Sequence, residues 1–316
     1  MTEVGIPVYR ARDTLPKALD SLVAQTTDEF IVCLSIDGDN IDYSDIIEEY
    51  VRRGLKIRLI YSEINQGPGA ARQKIIDTTE CEYLMFLDSD DMVMPNGVKS
   101  LTNAIKSQNF DMIRSSFLRE DEKGLNSVIP HDVPTITWLH GKIYRVGYLK
   151  EKNLRFRPDL RAEEDAYFNI LCWNAAEKRG ETTEITYIWR YNTQSITRIE
   201  SPLNYFKRHY DGYIFSQVEA LKQMPRIMKE ISSALILQTM VNIYHHYMLA
   251  VHLGLPLKDT DEEIRSLKQV PILMTCINDP NALREILKFV KAGQTIEDLV
   301  VYYKYNMSEW LDMLFK

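Results

Sequence analysis

The stretch Tyr83-Leu84-Met85-Phe86-Leu87-Asp88-Ser89-Asp90-Asp91 runs from an unbroken apolar segment straight into clustered carboxylates. An apolar run without polar alternation is what a strand buried on both faces of a sheet requires. The carboxylates that follow place several negative charges at one sheet edge, which is costly unless a cation neutralises them. A hard divalent ion with oxygen ligands, its shell completed by a nucleotide diphosphate, answers that need. A solvated acidic turn answers it equally, so the tetrapeptide alone leaves both readings open.

Working outward, the same strand and helix alternation repeats on both sides. Upstream lie a strand over Ile57 to Tyr61 and a helix over Gly69 to Thr78. Before these, Phe30 to Ile36 is another continuous apolar run, and Val4 to Val8 a short one broken at Pro7. Between them Leu15, Ala18, Leu19, Leu22 and Val23 keep helical spacing, with Asp13 or Thr14 as N-cap. Ser44 is expected to cap a helix carrying Ile46, Ile47, Tyr50 and Val51, which Gly54 ends. Downstream, Val98, Leu101 and Ile105 mark a helix and Met112 to Phe117 a strand. This order predicts an α/β fold, a mostly parallel sheet flanked by helices, with ligands beyond the carboxyl ends of the strands.

After about residue 200 the character changes. Long periodic stretches such as Ile231 to Val251 and Leu283 to Val290 appear, punctuated by Pro256, Pro271 and Pro280. The expected division is a catalytic α/β domain over 1–200 and a helical C-terminal module over 201–316, with the boundary at Ser201 and Pro202.

A chain of 316 residues, 45% hydrophobic and 26% charged, buries a substantial core and is not disordered. A net charge of -7 disfavours a protein held on nucleic acid by phosphate neutralisation. Cys33, Cys81, Cys172 and Cys276 are too far apart for a C-x-x-C zinc site. No apolar stretch reaches the roughly 20 residues that span a bilayer, and no signal core precedes the first strand. The expected setting is cytoplasmic, either free or peripheral to a membrane.

Three further polar segments follow predicted strands or open predicted helices. Asn65-Gln66-Gly67-Pro68-Gly69-Ala70-Ala71-Arg72 lets backbone approach a ligand and offers a cationic fork near a diphosphate, or is a plain loop with a surface arginine. Glu163-Glu164-Asp165 sits at the mouth of a helix, where the dipole keeps carboxylates ionised, as either an end charge cluster or a base. Tyr191-Asn192-Thr193-Gln194-Ser195-Ile196-Thr197-Arg198, a polar run after the strand-like Ile185 to Arg190, supplies hydroxyls and an arginine. His245-His246 lacks the i, i+4 spacing of a helical metal pair and reads as packing. Tyr302, Tyr303 and Tyr305 read as packing or interface groups before sugar-stacking ones.

Taken in order, Pro7-Val8-Tyr9, Asp37-Gly38, Asn65 to Arg72, Asp88 to Asp91 and Glu164-Asp165 resemble the family 2 glycosyltransferases, and Trp138 to Arg145 and Ser195 to Arg198 look like that family's later segments. The resemblance covers roughly residues 3 to 200. It implies the GT-A fold and inverting transfer from a nucleotide-sugar donor, a UDP-sugar on family grounds, with Mn2+ or Mg2+ as cofactor. By the same resemblance Pro7, Tyr9 and Asp37 lie beside the nucleoside, Arg72 near base or diphosphate, and Ser89 among the donor contacts. Asp88 faces the ribose and shares the metal with Asp90. Asp165 is the general base, with Glu164 beside it, and Trp138 and Lys142 lie on the acceptor side.

Two departures from the family pattern stand out. Ile36 replaces the first of two adjacent aspartates and Asp39 replaces a serine, and the segment before Ser195 lacks arginines often found there. The implied acceptor is a saccharide or cell-surface polymer. A macromolecular acceptor such as modified DNA or a protein is the alternative, since Lys142, Arg145, Arg155, Arg157 and Arg161 make the surroundings of Asp165 basic. A non-catalytic nucleotide-sugar-binding relative is the other alternative, and homo-oligomerisation through the C-terminal module stays open.

Overall fold

The computed structural model describes residues 1–131, 137–160, 163–193, 195, 201–288, 290–296 and 299–316. These divide into two compact units, Met1–Asn192 and Thr193–Lys316. The first carries β1 (Thr2–Val8), α1 (Leu15–Val23), β2 (Phe30–Asp37), α2 (Ser44–Arg52), β3 (Ile57–Ser62), α3 (Pro68–Thr78), β4 (Tyr83–Phe86) and β5 (Met92–Val93). It continues with α4 (Gly97–Ser107), β6 (Met112–Glu120), β7 (Asn126–Ile129), β8 (Lys142–Arg145), α5 (Val146–Glu151), α6 (Glu164–Ala175) and β9 (Arg179–Trp189).

The strands form one sheet in the order β3-β2-β1-β4-β8-β6-β9-β5, with β7 paired to β6. The half from β3 to β4 is parallel, as its apolar runs require. Beyond it β8 pairs antiparallel with both β4 and β6, while β6 and β9 are again parallel. The two faces follow the period-2 alternation of the strands. Val4, Ile6 and Val8 of β1 and Tyr83 and Met85 of β4 pack with Leu15, Leu19 and Leu22 of α1 and Leu101 and Ile105 of α4. On the other face Phe86 meets Tyr144 and Phe156, whose ring stacks on Phe168 of α6 at 4.0 Å.

One local expectation differs. Ser44 is the first helical residue of α2 rather than its cap: the Asp42 carboxylate accepts from both its amide (2.9 Å) and its hydroxyl (2.6 Å). Asx side chains compete well for such amides. The four cysteines are buried and free.

Gly38 shows how tightly the carboxyl edge is built. Its φ is +67°, and a Cβ there would lie 2.1 Å from the carbonyl carbon of Ile64 and 2.2 Å from the Asn65 nitrogen. Gly38→Ala is therefore expected to cost at least about 2 kcal/mol, from the left-handed backbone and the collision together. Urea unfolding of both proteins measures it.

The second unit consists of α7 (Pro202–Ile227), α8 (Ser233–His252), α9 (Lys258–Ser266), a 3-10 turn (Leu267–Gln269), α10 (Pro271–Asn278), α11 (Pro280–Leu287), a hairpin of β10 (Gly293–Ile296) and β11 (Leu299–Tyr302), and α12 (Met307–Phe315). It is helical as expected but for that hairpin, whose segments are too short for a periodicity signal. His246 stacks on Tyr213 at 4.9 Å, and burial pulls its pKa down to about 4, so it is a neutral packing group. Among the described residues no helix is long and apolar enough to cross a membrane.

Candidate active site

The parallel registers align Val8 with Ile36 and Asp37 with Ser62, so the loops after β1, β2, β3 and β4 emerge at one edge. At the first, Pro7 is half-buried and the Tyr9 ring is 42% exposed, the Arg10 guanidinium 5.2 Å from its centre. Asp37 is buried at the end of β2, and its Oδ2 accepts from the amides of Gln66 (3.0 Å) and Gly67 (2.7 Å). It thus fixes the turn that opens α3, and among the described residues its Oδ1 is buried without a partner. A buried carboxylate oxygen left without a donor is available to a donor from a ligand.

Arg72 projects from the first turns of α3 into the centre of the site. Its Nη2 donates to Asp88 Oδ1 and its Nη1 to Glu164 Oε1, each at 2.7 Å. The guanidinium and Glu164 are buried, whereas the Asp88 side chain keeps 30% of its surface open. Burial opposes the guanidinium charge, yet Asp88 and Glu164 outweigh it and hold the Arg72 pKa well above its ordinary value. The expected placement of Arg72 near a diphosphate thus becomes more specific: it joins the acidic edge of β4 to the start of α6. Gly69 permits this approach, since a Cβ there would sit 3.0 Å from Glu164 Cγ.

At the end of β4, Asp88, Ser89 and Asp90 are half-buried and Asp91 is buried. Asp91 is held from β9: Tyr187 donates its hydroxyl to Oδ2 (2.6 Å) and the Arg190 amide donates to Oδ1 (2.8 Å). The Asn192 amide group donates to Asp90 Oδ2 at 2.8 Å. Burial and then Asp88 push the Asp90 pKa up, and burial, Asp88 and Asp90 push that of Asp91 up further. For Asp88, Arg72 and His140 overcome burial and hold it down. His140 enters here as well: its Nε2 lies 3.8 Å from Asp91 Oδ2, and ligand atoms of Asp88, Asp91 and His140 all fall within 4.8 Å of one another. Clustered carboxylates, two of them with raised pKa, and an imidazole beside them fit a divalent cation.

Sequence reasoning proposed Asp88 and Asp90 as metal ligands and missed His140, Tyr187 and Asn192. These reach the cluster through the pairing of β6 with β8 and β9; His140 lies in the Trp138 to Arg145 segment and Asn192 in the polar run that follows β9, but neither was assigned to the cluster. His140 is packed among Phe117, Tyr187 and Trp189 at 5.0 Å from each.

Asp165 is in the first turn of α6, half-buried, its Oδ1 taking the Ala166 amide at 2.8 Å. Burial and the adjacent Glu164 raise its pKa to about 7, against the pull of Arg72. Trp138 packs on Trp189 and Phe117. Lys142 is fully buried, its ammonium donating to the Trp138 carbonyl, and burial draws its pKa down to about 7. The basic surroundings are largely paired: Arg145 with Asp111 (2.6 Å), Arg155 with Asp77 (2.8 Å) and Arg157 with Asp159. Such pairing offsets the charge a polyanionic acceptor needs. Arg161, Thr197 and Arg198 lie outside the described residues. Concavities of about 480 Å3 beside Phe30 and about 490 Å3 beside Tyr244 contain none of these groups, so chemistry and not hollow volume marks the site.

Comparison with known proteins agrees with this geometry. An uncharacterized glycosyltransferase of Bacillus subtilis, EpsJ, is 24% identical over 311 residues, 92% of this chain and 82% of the relative. A poly(ribitol-phosphate) beta-glucosyltransferase of Bacillus spizizenii is 27% identical over 201 residues, 59% of this chain, and that match spans only 31% of the relative's length. Among solved structures, Staphylococcus aureus TarS 1-349 in complex with UDP-GlcNAc superposes with a TM-score of 0.65 at 18% identity, covering 92% of this chain and 82% of that one. At that identity the likeness is one of fold. The family model described as glycosyl transferase family 2 matches residues 3–162, half of the sequence, and the chain belongs to that family.

Proposed function

We propose that this glycosyltransferase moves a sugar, with inversion, from a UDP-sugar to a hydroxyl of a saccharide or cell-surface polymer, residues 1–200 being the catalytic part. The observation that carries the reading is the Arg72 bridge. One buried guanidinium binds Asp88 on the donor side and Glu164 on the acceptor side at 2.7 Å each, so the two halves of a displacement are built as one rigid unit. UDP as the nucleotide draws support from the UDP-GlcNAc complex of the TarS fold neighbour. A polymeric acceptor draws support from the poly(ribitol-phosphate) relative.

Pro7, Tyr9 and Asp37 bind the nucleoside, with the unpartnered Asp37 Oδ1 accepting from the base edge. Asp88, Asp91 and His140 place ligand atoms within reach of one ion, and with Asp90 beside them would hold Mn2+ or Mg2+, which would supply positive charge to offset that on the leaving diphosphate. Ser89 lies between the two proposed ligands and contacts the donor. Asp165, with a pKa of about 7, takes the proton of the acceptor hydroxyl as that oxygen attacks the anomeric carbon. Glu164 keeps Arg72 charged and in place. Trp138 lines the acceptor side, with Lys142 holding its carbonyl from behind. No enzyme nucleophile is needed for a single displacement.

The test is stereochemical. Incubated with α-linked UDP-glucose or UDP-GlcNAc and manganese, the protein is expected to release sugar as the β anomer, followed by proton NMR before mutarotation. Chelation with EDTA is expected to slow release by about 100-fold or more. Release as the α anomer would overturn the inverting assignment.

A further inference from the structure

We propose that Asp39, acting through Tyr43, is a positioning residue that sets the nucleobase platform of the donor site, an inference that rests on the donor-site reading above. Arg10 has a φ of +50°, a left-handed backbone that a residue with a side chain adopts only at a cost. Something must hold it there. Its amide donates to Asp39 Oδ2 at 2.5 Å, a charge-assisted bond. The same oxygen accepts the Tyr43 hydroxyl at 2.7 Å, and that hydroxyl's oxygen accepts the Ala11 amide at 3.0 Å.

Two successive amides after Tyr9 are therefore tied to the loop that follows β2. The consequence is felt at Tyr9 and Arg10. With its backbone turned this way, the Tyr9 ring is left 42% exposed and the Arg10 guanidinium stands 5.2 Å from its centre. A planar ring with a cation beside it is a surface on which a nucleobase packs. Asp37, two residues from Asp39, supplies the edge contact.

The Tyr43 ring is buried in the core below, so the network is anchored to packed structure and not to another mobile loop. A serine at position 39 has a single short hydroxyl in place of this carboxylate. The carboxylate here instead ties the Arg10 amide and the Tyr43 hydroxyl together, and so pre-shapes the base pocket.

The experiment uses Tyr43→Phe, Asp39→Ala and Asp39→Asn in the full chain, with manganese present. UDP and inorganic pyrophosphate are titrated by calorimetry, and KM and kcat are measured for UDP-sugar hydrolysis. Tyr43→Phe and Asp39→Ala are expected to weaken UDP about tenfold, the scale of a lost preorganised contact, with KM raised and kcat little changed. Pyrophosphate, which has no base, is expected to bind each variant as it binds wild type. Asp39→Asn keeps an oxygen for both donors and is expected to recover part of the UDP affinity. Unchanged UDP affinity in Tyr43→Phe and Asp39→Ala, or equal weakening of UDP and pyrophosphate, would overturn the proposal while leaving the donor site intact. Failure of wild type to bind UDP at all would overturn the donor-site reading and this one with it.

Discussion

Asp165→Asn is expected to lower kcat by about 10²–10⁴ while leaving UDP affinity little changed, since only the proton acceptor is lost. The pH dependence gives a second, independent signature. A base works deprotonated, so kcat/KM of the wild type is expected to rise with pH and level off above about 7, where burial and Glu164 have moved the group. Stability moves the other way. A carboxyl whose pKa is raised on folding binds its proton more tightly in the native state than in the unfolded chain. Between the ordinary carboxylate range and about pH 7 the folded state therefore carries the extra proton, and this group's contribution to stability falls as pH rises through that window. Asp165→Asn is expected to flatten both profiles. Rate-pH curves and urea unfolding at pH 5 and 8, for both proteins, measure them. A variant that retained the wild-type rate and the rise toward pH 7 would remove Asp165 from the mechanism.

Arg72→Ala is expected to be strongly destabilising to the first unit. It leaves Glu164, buried, and Asp88, partly buried, facing each other with no cation between them. Breaking a buried pair by deleting one partner costs about 3–5 kcal/mol, because the remaining charge stays desolvated. A cost of about 3 kcal/mol lowers the Tm of a unit this size by roughly 6–12 °C. Turnover is expected to vanish with it, because Asp88 and Glu164, the neighbour of the proposed base, lose their common anchor. Adding Glu164→Gln to Arg72→Ala removes one of the stranded charges and is expected to restore part of the stability without restoring turnover. Thermal melts of the single and double variants separate the two effects. Equal Tm for Arg72→Ala and wild type would contradict the bridge.

Much of this site was legible because its chemistry is encoded locally. The run Tyr83 to Leu87 and the carboxylates behind it are contiguous, so a buried strand ending in a charged edge can be read without knowing its neighbours. The same holds for Glu164-Asp165, whose position in the first turn of α6 follows from the apolar residues after it. What escaped depends on pairings between distant segments. His140, in the turn before β8, and Tyr187 of β9 approach Asp91 through strands whose order in the sheet, β8-β6-β9-β5, is not the order of the chain. Arg72 was expected near phosphate, but its binding of Glu164 spans 92 positions in sequence. Asp39 looked like a blemish in a familiar segment. Its partners, the Arg10 and Ala11 amides and the Tyr43 hydroxyl, give it a structural reason that only the fold supplies. The hairpin β10–β11 was missed because each segment is short and lies in a helical setting.

The most direct measurement is a calorimetric titration of the wild type and of Asp90→Ala with UDP, GDP, CDP and dTDP, each with and without manganese. The account predicts that wild type binds UDP in preference to the others, only when manganese is present, and that Asp90→Ala loses this binding. Binding of no nucleotide under either condition, or metal-independent binding that Asp90→Ala retains, would contradict it.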